Sequence, residues 1–256
     1  MNTLAIAGKR LTYLRLGTGA PLVLVHGFPL DHSIWEPVIP FLTDCFDLIL
    51  PDLPGFGGSD SPEPDPVIET YAHALADLLS HLGLEQTFLA GHSMGGYVAL
   101  AFARLYPRLL RGLALIASQT VADTPERKAG RYATAEQVAA QGAGVVADAM
   151  VPKLSVDPAH YPLLNELILC QKPDAIIAGL RAMAGRPDSS SLLSSLNVPL
   201  VLVHGQADAL ISVERAREAA QMVPHAVLVE LPEVGHMPMM EAPEQTAAAL
   251  KRLTYA

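Results

Sequence analysis

The octapeptide LAGHSMGG, residues 89–96, joins an apolar run to a run of small, helix-forming residues. This order of strand, sharp turn and helix is the context in which a G-x-S-x-G motif presents a nucleophilic serine. Gly91 and Gly95 lie two residues on either side of Ser93. Because glycine has no Cβ, the strand and the helix can pack closely there while Ser93 takes an unfavourable backbone conformation. A glycine-rich connection without catalytic function would look the same, so the rest of the chain has to decide between the two interpretations.

Further apolar runs of strand length recur along the chain. They cover 21–26, 46–50, 86–90, 109–116, 199–204 and 226–231, and residues 4–16 have the loose alternation of a hairpin or two short strands. Apolar residues at helical spacing predict helices over 67–82, 94–105, 213–221 and 242–253, and another after Asp31 that carries Ile34, Trp35, Val38 and Phe41. Strands that alternate with helices and are apolar throughout predict an α/β fold with a doubly wound, mostly parallel sheet.

The interval 119–190 breaks this alternation, because it is rich in alanine and has no strand-like apolar run. Helices are predicted near 134–150, 159–170 and 173–184. Ligands of open α/β sheets bind at the carboxyl ends of the strands, so a helical insertion between two strands would form a lid there. We therefore expect residues 1–118 and 191–256 to form the core domain and residues 119–190 to form a helical cap.

Two residues that follow later predicted strands can supply what a nucleophilic serine needs. A serine hydroxyl requires a positioned base, and that base requires a carboxylate that orients it. His236 lies in a loop after the last predicted strand, and Asp208 follows the strand 199–204. The chain order Ser93, Asp208, His236 is one in which such triads occur. A plain loop histidine and a turn or capping aspartate are the alternatives.

The tetrahedral intermediate of such a reaction needs two hydrogen-bond donors for its oxyanion. We expect one to be the backbone N–H of Met94, which follows the nucleophile, and the other to be the backbone N–H of Phe28, in the loop after the strand 21–26. Pro29 has no N–H and cannot donate.

Composition limits the class of protein. The chain has 256 residues and a formal net charge of −9, which argues against nucleic acid or an anionic membrane surface as a partner. Cys45 and Cys170 have no redox or metal spacing and are expected to be buried free thiols. Ligand spacings and phosphate loops are also lacking, so the sequence predicts neither metal nor cofactor. No signal peptide and no apolar run of the ~20 residues that cross a bilayer can be recognised, so a cytoplasmic protein is expected, as a monomer or small homo-oligomer.

Several polar residues near these loops have simpler interpretations than catalysis. Three histidines are expected to be structural: His26, His92 and His204. Three aspartates are expected to cap a helix or hold the glycine-rich loop 51–60: Asp31, Asp52 and Asp60. Asp31 could instead border the pocket with His32. Three methionines after the candidate base could line an apolar pocket or belong to the core: Met237, Met239 and Met240.

Together these segments resemble the α/β-hydrolase superfamily over nearly the whole chain. The matching segments are HGFP at 26–29, PDLPGFGGS at 51–59, GHSMGG at 91–96, GQAD at 205–208 and GH at 235–236. Within the superfamily the chain is most similar to small bacterial carboxylesterases, haloperoxidase-like esterases and 3-oxoadipate enol-lactonases, the last also through AMAGRPDS at 182–189. The resemblance implies an eight-stranded sheet with a helical cap.

The departures from related groups narrow the chemistry. Epoxide hydrolases and haloalkane dehalogenases share H-G-x-P but use an aspartate nucleophile, whereas this chain has Ser93. The only tryptophan is Trp35, so the cap lacks the tryptophan associated with enol-lactonases that bind a carboxylate. A proline beside the oxyanion residue is associated with peracid formation, and Pro29 makes that side activity an expectation of the resemblance.

The sequence therefore predicts a carboxylesterase, a serine hydrolase that cleaves carboxylic esters through an acyl-enzyme and whose partner is a small-molecule ester or lactone. An enol-lactonase and a C–C bond hydrolase would use the same three residues. A ligand receptor without enzymatic activity and a purely structural α/β protein are the alternatives from other classes.

Overall fold

Eight strands form one sheet in the computed structural model, which describes residues 1–6, 8–62 and 64–254. They are β1 (Asn2–Ile6), β2 (Lys9–Gly17), β3 (Ala20–Val25), β4 (Phe46–Pro51), β5 (Thr87–His92), β6 (Leu110–Ile116), β7 (Leu200–Gly205) and β8 (Val227–Leu231). Their order across the sheet is β1-β2-β4-β3-β5-β6-β7-β8. The pairs β1–β2 and β2–β4 are antiparallel and the others are parallel, which confirms the predicted sheet. Ala7, inside the predicted hairpin 4–16, and residues 255–256 of the predicted core domain lie outside the described residues.

Helices connect and cover these strands. They are α1 (Ile39–Leu42), α2 (Ile68–His81), α3 (Met94–Leu105), α4 (Pro125–Gln141), α5 (Gly144–Leu154), α6 (Tyr161–Leu169), α7 (Pro173–Gly185), α8 (Ser190–Ser195), α9 (Glu214–Met222), α10 (Pro238–Glu241) and α11 (Pro243–Lys251). Short 3₁₀ helices cover His32–Val38, Pro158–His160 and Arg252–Thr254. No helix among the described residues is long and apolar enough to cross a membrane.

The helices α4 to α7 follow β6 and precede β7, where the sequence predicts a helical insertion. The single helix predicted near 134–150 is wrong, because two helices occupy this part of the chain. α4 begins earlier, where the Thr124 side chain accepts the Arg127 N–H and Pro125 takes the first helical position. α4 ends at Gln141, because the next residue, Gly142, has a φ of 82°, a conformation that suits glycine and cannot continue a helix.

The central strands place the loops that matter for function. β3, β5, β6 and β7 are apolar and buried, as expected of parallel strands covered on both faces. Val25 is in register with Gly91, and Ile116 with Val203. The loops that leave β3, β5, β7 and β8 therefore emerge at the same edge of the sheet, which is where ligands of open α/β sheets bind.

Two predictions about burial are wrong. Cys45 and Cys170 are free, as expected, but both are exposed rather than buried. Each lies at the end of a helix, Cys45 in the turn between α1 and β4 and Cys170 after α6, where solvent reaches the side chain. The helix predicted after Asp31 is a 3₁₀ helix followed by a single turn of α-helix, and Phe41 in that turn is 39% exposed.

Candidate active site

Ser93 lies at the turn between β5 and α3, and its backbone is strained. Its φ of 52° and ψ of −113° fall in a region that side chains other than glycine rarely occupy. The Ser93 N–H donates to the Ile116 carbonyl at 2.9 Å, and the Ser118 hydroxyl donates to the Ser93 carbonyl at 2.8 Å. These bonds to the end of β6 and to the segment after it hold the serine in its strained conformation.

Glycine is required at the positions around Ser93 because the neighbouring atoms leave no room for a Cβ. A Cβ at Gly91 would collide with the Gly95 carbonyl, and a Cβ at Gly95 would collide with the Val25 carbonyl at the end of β3. A Cβ at Gly96 would meet the Ser118 hydroxyl. The close approach of strand and helix that the G-x-S-x-G pattern predicts is therefore present.

Asp208 and His236 are joined by a hydrogen bond. His236 Nδ1 lies 2.7 Å from Asp208 Oδ2, and the two side chains are 2% and 0% exposed. A carboxylate can only accept, so Nδ1 carries the proton and Nε2 is left as the acceptor. The other carboxylate oxygen, Oδ1, accepts the backbone N–H groups of Leu210 and Ile211 at 2.8 and 2.9 Å. Asp208 thus determines both the orientation and the tautomer of His236.

A second histidine supports this carboxylate. His204 Nε2 lies 3.2 Å from Asp208 Oδ2 and 2.8 Å from the Ile211 carbonyl. Burial alone would raise the pKa of Asp208, but the His236 charge and the hydrogen bonds from His204, His236 and the Ile211 N–H outweigh it and hold the pKa well below its usual value. Asp208 is therefore an anion at every pH at which the protein would work. The sequence predicted His204 as structural, and its contact with Asp208 was not foreseen.

Hydrogen bonds to the Glu241 side chain and to the end of α5 fix the loop that carries His236. Glu241 accepts the N–H groups of Gly235 and Met237 at 2.8 and 3.1 Å, and the His236 N–H donates to the Leu154 carbonyl at the end of α5 at 3.0 Å. Glu241 was not singled out from the sequence. Its position five residues after the candidate base, at the end of the short helix α10, is the only signal that could have identified it.

The two expected oxyanion donors have unpaired N–H groups. Within residues 1–6, 8–62 and 64–254, no acceptor pairs with the backbone N–H of Phe28 or of Met94. Met94 begins α3, where the first N–H groups of a helix have no intrahelical partner and the helix dipole favours negative charge. Phe28 lies in the loop after β3, next to a cis peptide bond to Pro29. Both groups are available to an anionic oxygen.

Ser93 and His236 line one cavity of about 350 Å³. The described part of the chain offers the Ser93 hydroxyl no hydrogen bond, so the expected Ser93–His236 contact is not made in this state. Contacts of this kind often tighten only when a substrate is bound. The apolar part of the lining comes from Val146 and Met150 of α5, Leu180 and Met183 of α7, and Leu210 and Ile211 after β7. A volume of this size fits a small molecule.

Two charged residues of α4 also line the cavity, Arg127 and Arg131. Neither was identified from the sequence. Their spacing of four residues, which places both on one face of a helix, is a signal that could have found them.

His26 and His92 are buried and neutral near physiological pH. His26 Nδ1 donates to the Gly27 carbonyl and Nε2 accepts the Leu53 N–H, both at 2.9 Å, which is the structural role expected. Burial lowers the pKa of His26 despite the nearby Asp52 charge. His92 Nε2 donates to the His236 carbonyl at 2.8 Å, and burial together with the His236 charge lowers the pKa of His92 to about 3. His92 therefore helps to position the loop of His236.

Asp31 and Asp52, the aspartates near the pocket, accept hydrogen bonds from backbone N–H groups and so fix the loops around them. Asp31 caps the 3₁₀ helix by accepting the Ser33 N–H at 2.9 Å, as predicted. Asp52 accepts the Gly58 N–H at 2.9 Å and both the N–H and the Nδ1–H of His32, at 3.0 and 2.7 Å. Asp31, His32 and Asp52 come close enough to share a cation, a proximity the spacing did not reveal. These hydrogen bonds already engage both oxygens of Asp52.

Asp60 and the three methionines after His236 have structural roles. Asp60 accepts the Arg10 N–H at 2.8 Å and its carbonyl accepts the Gly55 N–H at 2.9 Å, which holds the glycine-rich loop as expected. Met237, Met239 and Met240 are buried, and they belong to the core rather than to the lining of the cavity.

Comparison with known proteins shows the family to which the chain belongs. Residues 22–249 match the model of the alpha/beta hydrolase family. A pimeloyl-[acyl-carrier protein] methyl ester esterase from Aromatoleum aromaticum is 30% identical over 253 residues, covering 90% of this chain and 96% of the esterase. A dihydrolipoyllysine-residue acetyltransferase component of an acetoin cleaving system from Pseudomonas putida is 35% identical over 252 residues, which are 94% of this chain. The chain spans 65% of the length of that acetyltransferase component.

A solved structure agrees with these relatives. A thermophilic esterase from Thermogutta terrifontis, determined with malate bound, is 39% identical and superposes with a TM-score of 0.92. The match covers 98% of this chain and 95% of the esterase chain. The expected family resemblance and fold are thereby confirmed, and this chain belongs to the alpha/beta hydrolase family.

Proposed function

We propose that this hydrolase cleaves carboxylic esters with Ser93 as the nucleophile, His236 as the general base and Asp208 as the residue that orients the base. The observation that carries the proposal is the geometry of one cavity. A strained serine and the free Nε2 side of a histidine held by a buried carboxylate line that cavity together. The esterase names of two relatives support the same class of substrate.

The proposed reaction has two halves. Ser93 Oγ attacks the ester carbonyl and His236 Nε2 takes the hydroxyl proton, while Asp208 stabilises the imidazolium that forms. The Phe28 and Met94 N–H groups bind the oxyanion. His236 then gives the proton to the departing alcohol, which leaves an acyl-enzyme. Water activated by His236 attacks the acyl-enzyme, and the acid is released.

We further propose that residues 119–190 act as the cap of this site. α4, α5 and α7 supply most of the cavity lining that does not come from the sheet edge. The His236 N–H is bonded to the Leu154 carbonyl of α5, so the catalytic loop and the helices are mechanically linked. A cap of this kind would set which acyl and alcohol groups enter while the sheet edge performs the chemistry.

Covalent labelling tests the proposal directly. The wild-type protein is treated with a fluorophosphonate and its intact mass is measured, alongside Ser93→Ala and the matched control Ser194→Ala on the exposed end of α8. We expect one adduct on the wild type and on Ser194→Ala and none on Ser93→Ala. Turnover of a p-nitrophenyl ester should fall about 10⁴-fold or more in Ser93→Ala only.

The same experiment can contradict the proposal. An adduct on Ser93→Ala, or ester turnover retained by that variant, would exclude Ser93 as the nucleophile. Assays of an enol-lactone and of a ring-cleavage product beside the ester would show whether lactone or C–C bond hydrolysis dominates. Hydrogen peroxide added to the ester assay would reveal the peracid side activity that Pro29 suggests.

A further inference from the structure

Beside the cavity lies a cluster of one buried carboxylate and three guanidinium groups, of which those of Arg127 and Arg131 line the cavity. The Asp123 side chain is 0% exposed. Arg186 Nη1 lies 2.8 Å from Asp123 Oδ1, Arg131 forms a short ion pair with Oδ2, and Arg127 Nε lies 3.6 Å from Oδ1. Three positive charges thus surround Asp123, and Arg186 also interacts with the charge of Asp188.

Arg186 is sufficient to neutralise Asp123. Its side chain is 3% exposed, and it also donates to the Met183 and Val121 carbonyls at 2.9 Å and lies over the Tyr97 ring at 4.0 Å. These contacts fix Arg186 within the protein. Asp123 and Asp188 thus supply two negative charges for three guanidinium groups, which leaves an excess of one positive charge on the side of Arg127 and Arg131.

Arg127 and Arg131 place this excess positive charge at the wall of the cavity. Both line it, together with Ser93 and His236. Arg127 is 41% exposed, and among the described residues its polar side-chain contacts are the 3.6 Å approach to Asp123 and a 3.4 Å contact with the Leu210 carbonyl. Much of its hydrogen-bonding capacity is unused, because a guanidinium carries five N–H donors.

The rest of the lining cannot balance these charges. Among the described residues, no Asp or Glu lines the cavity, and most other lining side chains are apolar. The whole chain has a formal net charge of −9, so a cation-lined cavity runs against the overall charge. Apolar walls strengthen the field of such charges and concentrate ligands of opposite sign.

From this geometry we propose that the substrate carries a carboxylate in addition to the bond that is cleaved, and that Arg127, supported by Arg131, binds it. The proposal rests on the proposed function, since it names the substrate class of the same site. Arginine suits this task because its planar fork matches the two oxygens of a carboxylate. The carboxylate could be on the acyl or on the alcohol side of the ester, and the test separates the two.

The test compares matched charged and neutral esters. For the acyl side, p-nitrophenyl hydrogen adipate is paired with p-nitrophenyl hexanoate. For the alcohol side, the m-carboxyphenyl ester of butyric acid is paired with its phenyl ester. We expect one pair to show a higher kcat/KM for the charged ester, mainly through a lower KM, because the ion pair is made equally in ground and transition states.

Variants then assign the effect to the arginine. In Arg127→Gln the ratio of kcat/KM, charged over neutral, should fall at least about fivefold, whereas Arg127→Lys should keep part of it. Arg215→Gln, at an exposed ion pair on α9, is the matched control and should leave the ratio unchanged. Added salt should lower the wild-type ratio, because this arginine is partly exposed to solvent.

A binding measurement keeps this inference separate from the proposed function. Calorimetry on Ser93→Ala, which needs no turnover, is done with both charged and neutral pairs: monomethyl adipate with methyl hexanoate, and m-carboxyphenyl butyrate with phenyl butyrate. In the pair that the wild type discriminates, the charged ester should bind more tightly than its neutral partner, and adding Arg127→Gln should remove the difference. Equal binding of the two esters in both pairs, or a selectivity ratio unchanged in Arg127→Gln, would overturn the inference even if Ser93 is the nucleophile. A charge preference in a protein that fluorophosphonate does not label at Ser93 would retain the inference and overturn the proposed function.

Discussion

The sheet edge and the helices above it build the same cavity in different ways. At the sheet edge, Ser93 is held by backbone hydrogen bonds, and Asp208 and His236 are almost completely buried. On the helical side, Arg127 is 41% exposed, and its polar side-chain contacts with Asp123 and with the Leu210 carbonyl are long, at 3.6 and 3.4 Å. The groups proposed to do chemistry are rigidly placed, whereas a group proposed to recognise the substrate can still move.

This difference has a physical reason. Strong catalysis requires donors and acceptors that are already oriented before the reaction, and buried parallel strands orient the loops that follow them. Recognition of a charged group can use a flexible, partly solvated side chain, because charge interactions fall off slowly with distance. Substitutions at the sheet edge should therefore affect every substrate, and substitutions on α4 should affect some substrates more than others.

Asp208→Asn should give the largest effect. An amide cannot stabilise the imidazolium of His236 and favours the wrong tautomer, so kcat should fall about 10³- to 10⁴-fold. The loss should be equal for charged and neutral esters, as measured by steady-state kinetics. Asp60→Asn is the control and should keep wild-type kcat, because the Asp60 side chain is 42% exposed and pairs with Arg10 rather than with His236. A loss below about tenfold, or a loss confined to one substrate class, would show that the sheet edge does not act as one unit.

Gly91→Ala should have the next largest effect, this time on stability. Its Cβ would collide with the Gly95 carbonyl, and backbone cannot move aside cheaply, so the free energy of unfolding should fall by about 2–4 kcal/mol. Gly130→Ala on α4 is the matched variant from the helical side. Its Cβ meets no atom within 4 Å, and the free energy of unfolding should rise by about 0.5–1 kcal/mol.

Urea unfolding of the two glycine variants measures both changes. Equal free energies of unfolding for Gly91→Ala and Gly130→Ala would mean that the turn at Ser93 is not as tightly packed as the comparison requires.

His32→Gln should have the smallest effect, a loss of stability whose size depends on pH. Burial alone would lower the pKa of His32, but the hydrogen bond and charge of Asp52, with the charges of Asp31 and Glu36, outweigh it and raise the pKa above the ordinary value of 6.5. A raised pKa means that the folded protein holds the proton more tightly than the unfolded chain. The stabilisation is therefore fully present below pH 6.5 and is lost as the pH rises through the folded-state pKa.

Thermal unfolding across the pH range checks the sign. His32→Gln should lower Tm more at about pH 5.5 than at about pH 8.5. A penalty that grows with rising pH would mean that His32 is neutral in the folded state. Ester turnover should be unchanged, because His32 contacts neither Ser93 nor His236.

The sheet edge could be largely predicted from the sequence. Ser93, Asp208 and His236 each follow an apolar run, and strands of a parallel sheet end at a common edge, so their proximity follows from topology alone. The missed contacts at this edge, from His204 to Asp208 and from Glu241 to the loop of His236, depend on side-chain directions that spacing does not determine.

The helical side could be predicted far less well. The start of α4 at Pro125 was missed although Thr124 and Pro125 form an ordinary helix start, because few apolar residues mark this helix. Arg127 and Arg131 share a helix face by spacing, but only the packing of α4 against α7 decides that this face meets the cavity. A long arginine on a polar helix is usually a solvated residue, and the sequence contains nothing that distinguishes this pair.

The division of labour between the two regions can be measured in one experiment. The kcat/KM values for both pairs, p-nitrophenyl hydrogen adipate with p-nitrophenyl hexanoate and m-carboxyphenyl butyrate with phenyl butyrate, are determined for the wild type, Ser93→Ala and Arg127→Gln. If Ser93 supplies the chemistry and Arg127 the selectivity, Ser93→Ala abolishes turnover of all four esters. Arg127→Gln then lowers the charged-to-neutral ratio of the pair that the wild type discriminates at least about fivefold. Turnover retained by Ser93→Ala, or an unchanged ratio in Arg127→Gln, would contradict that division.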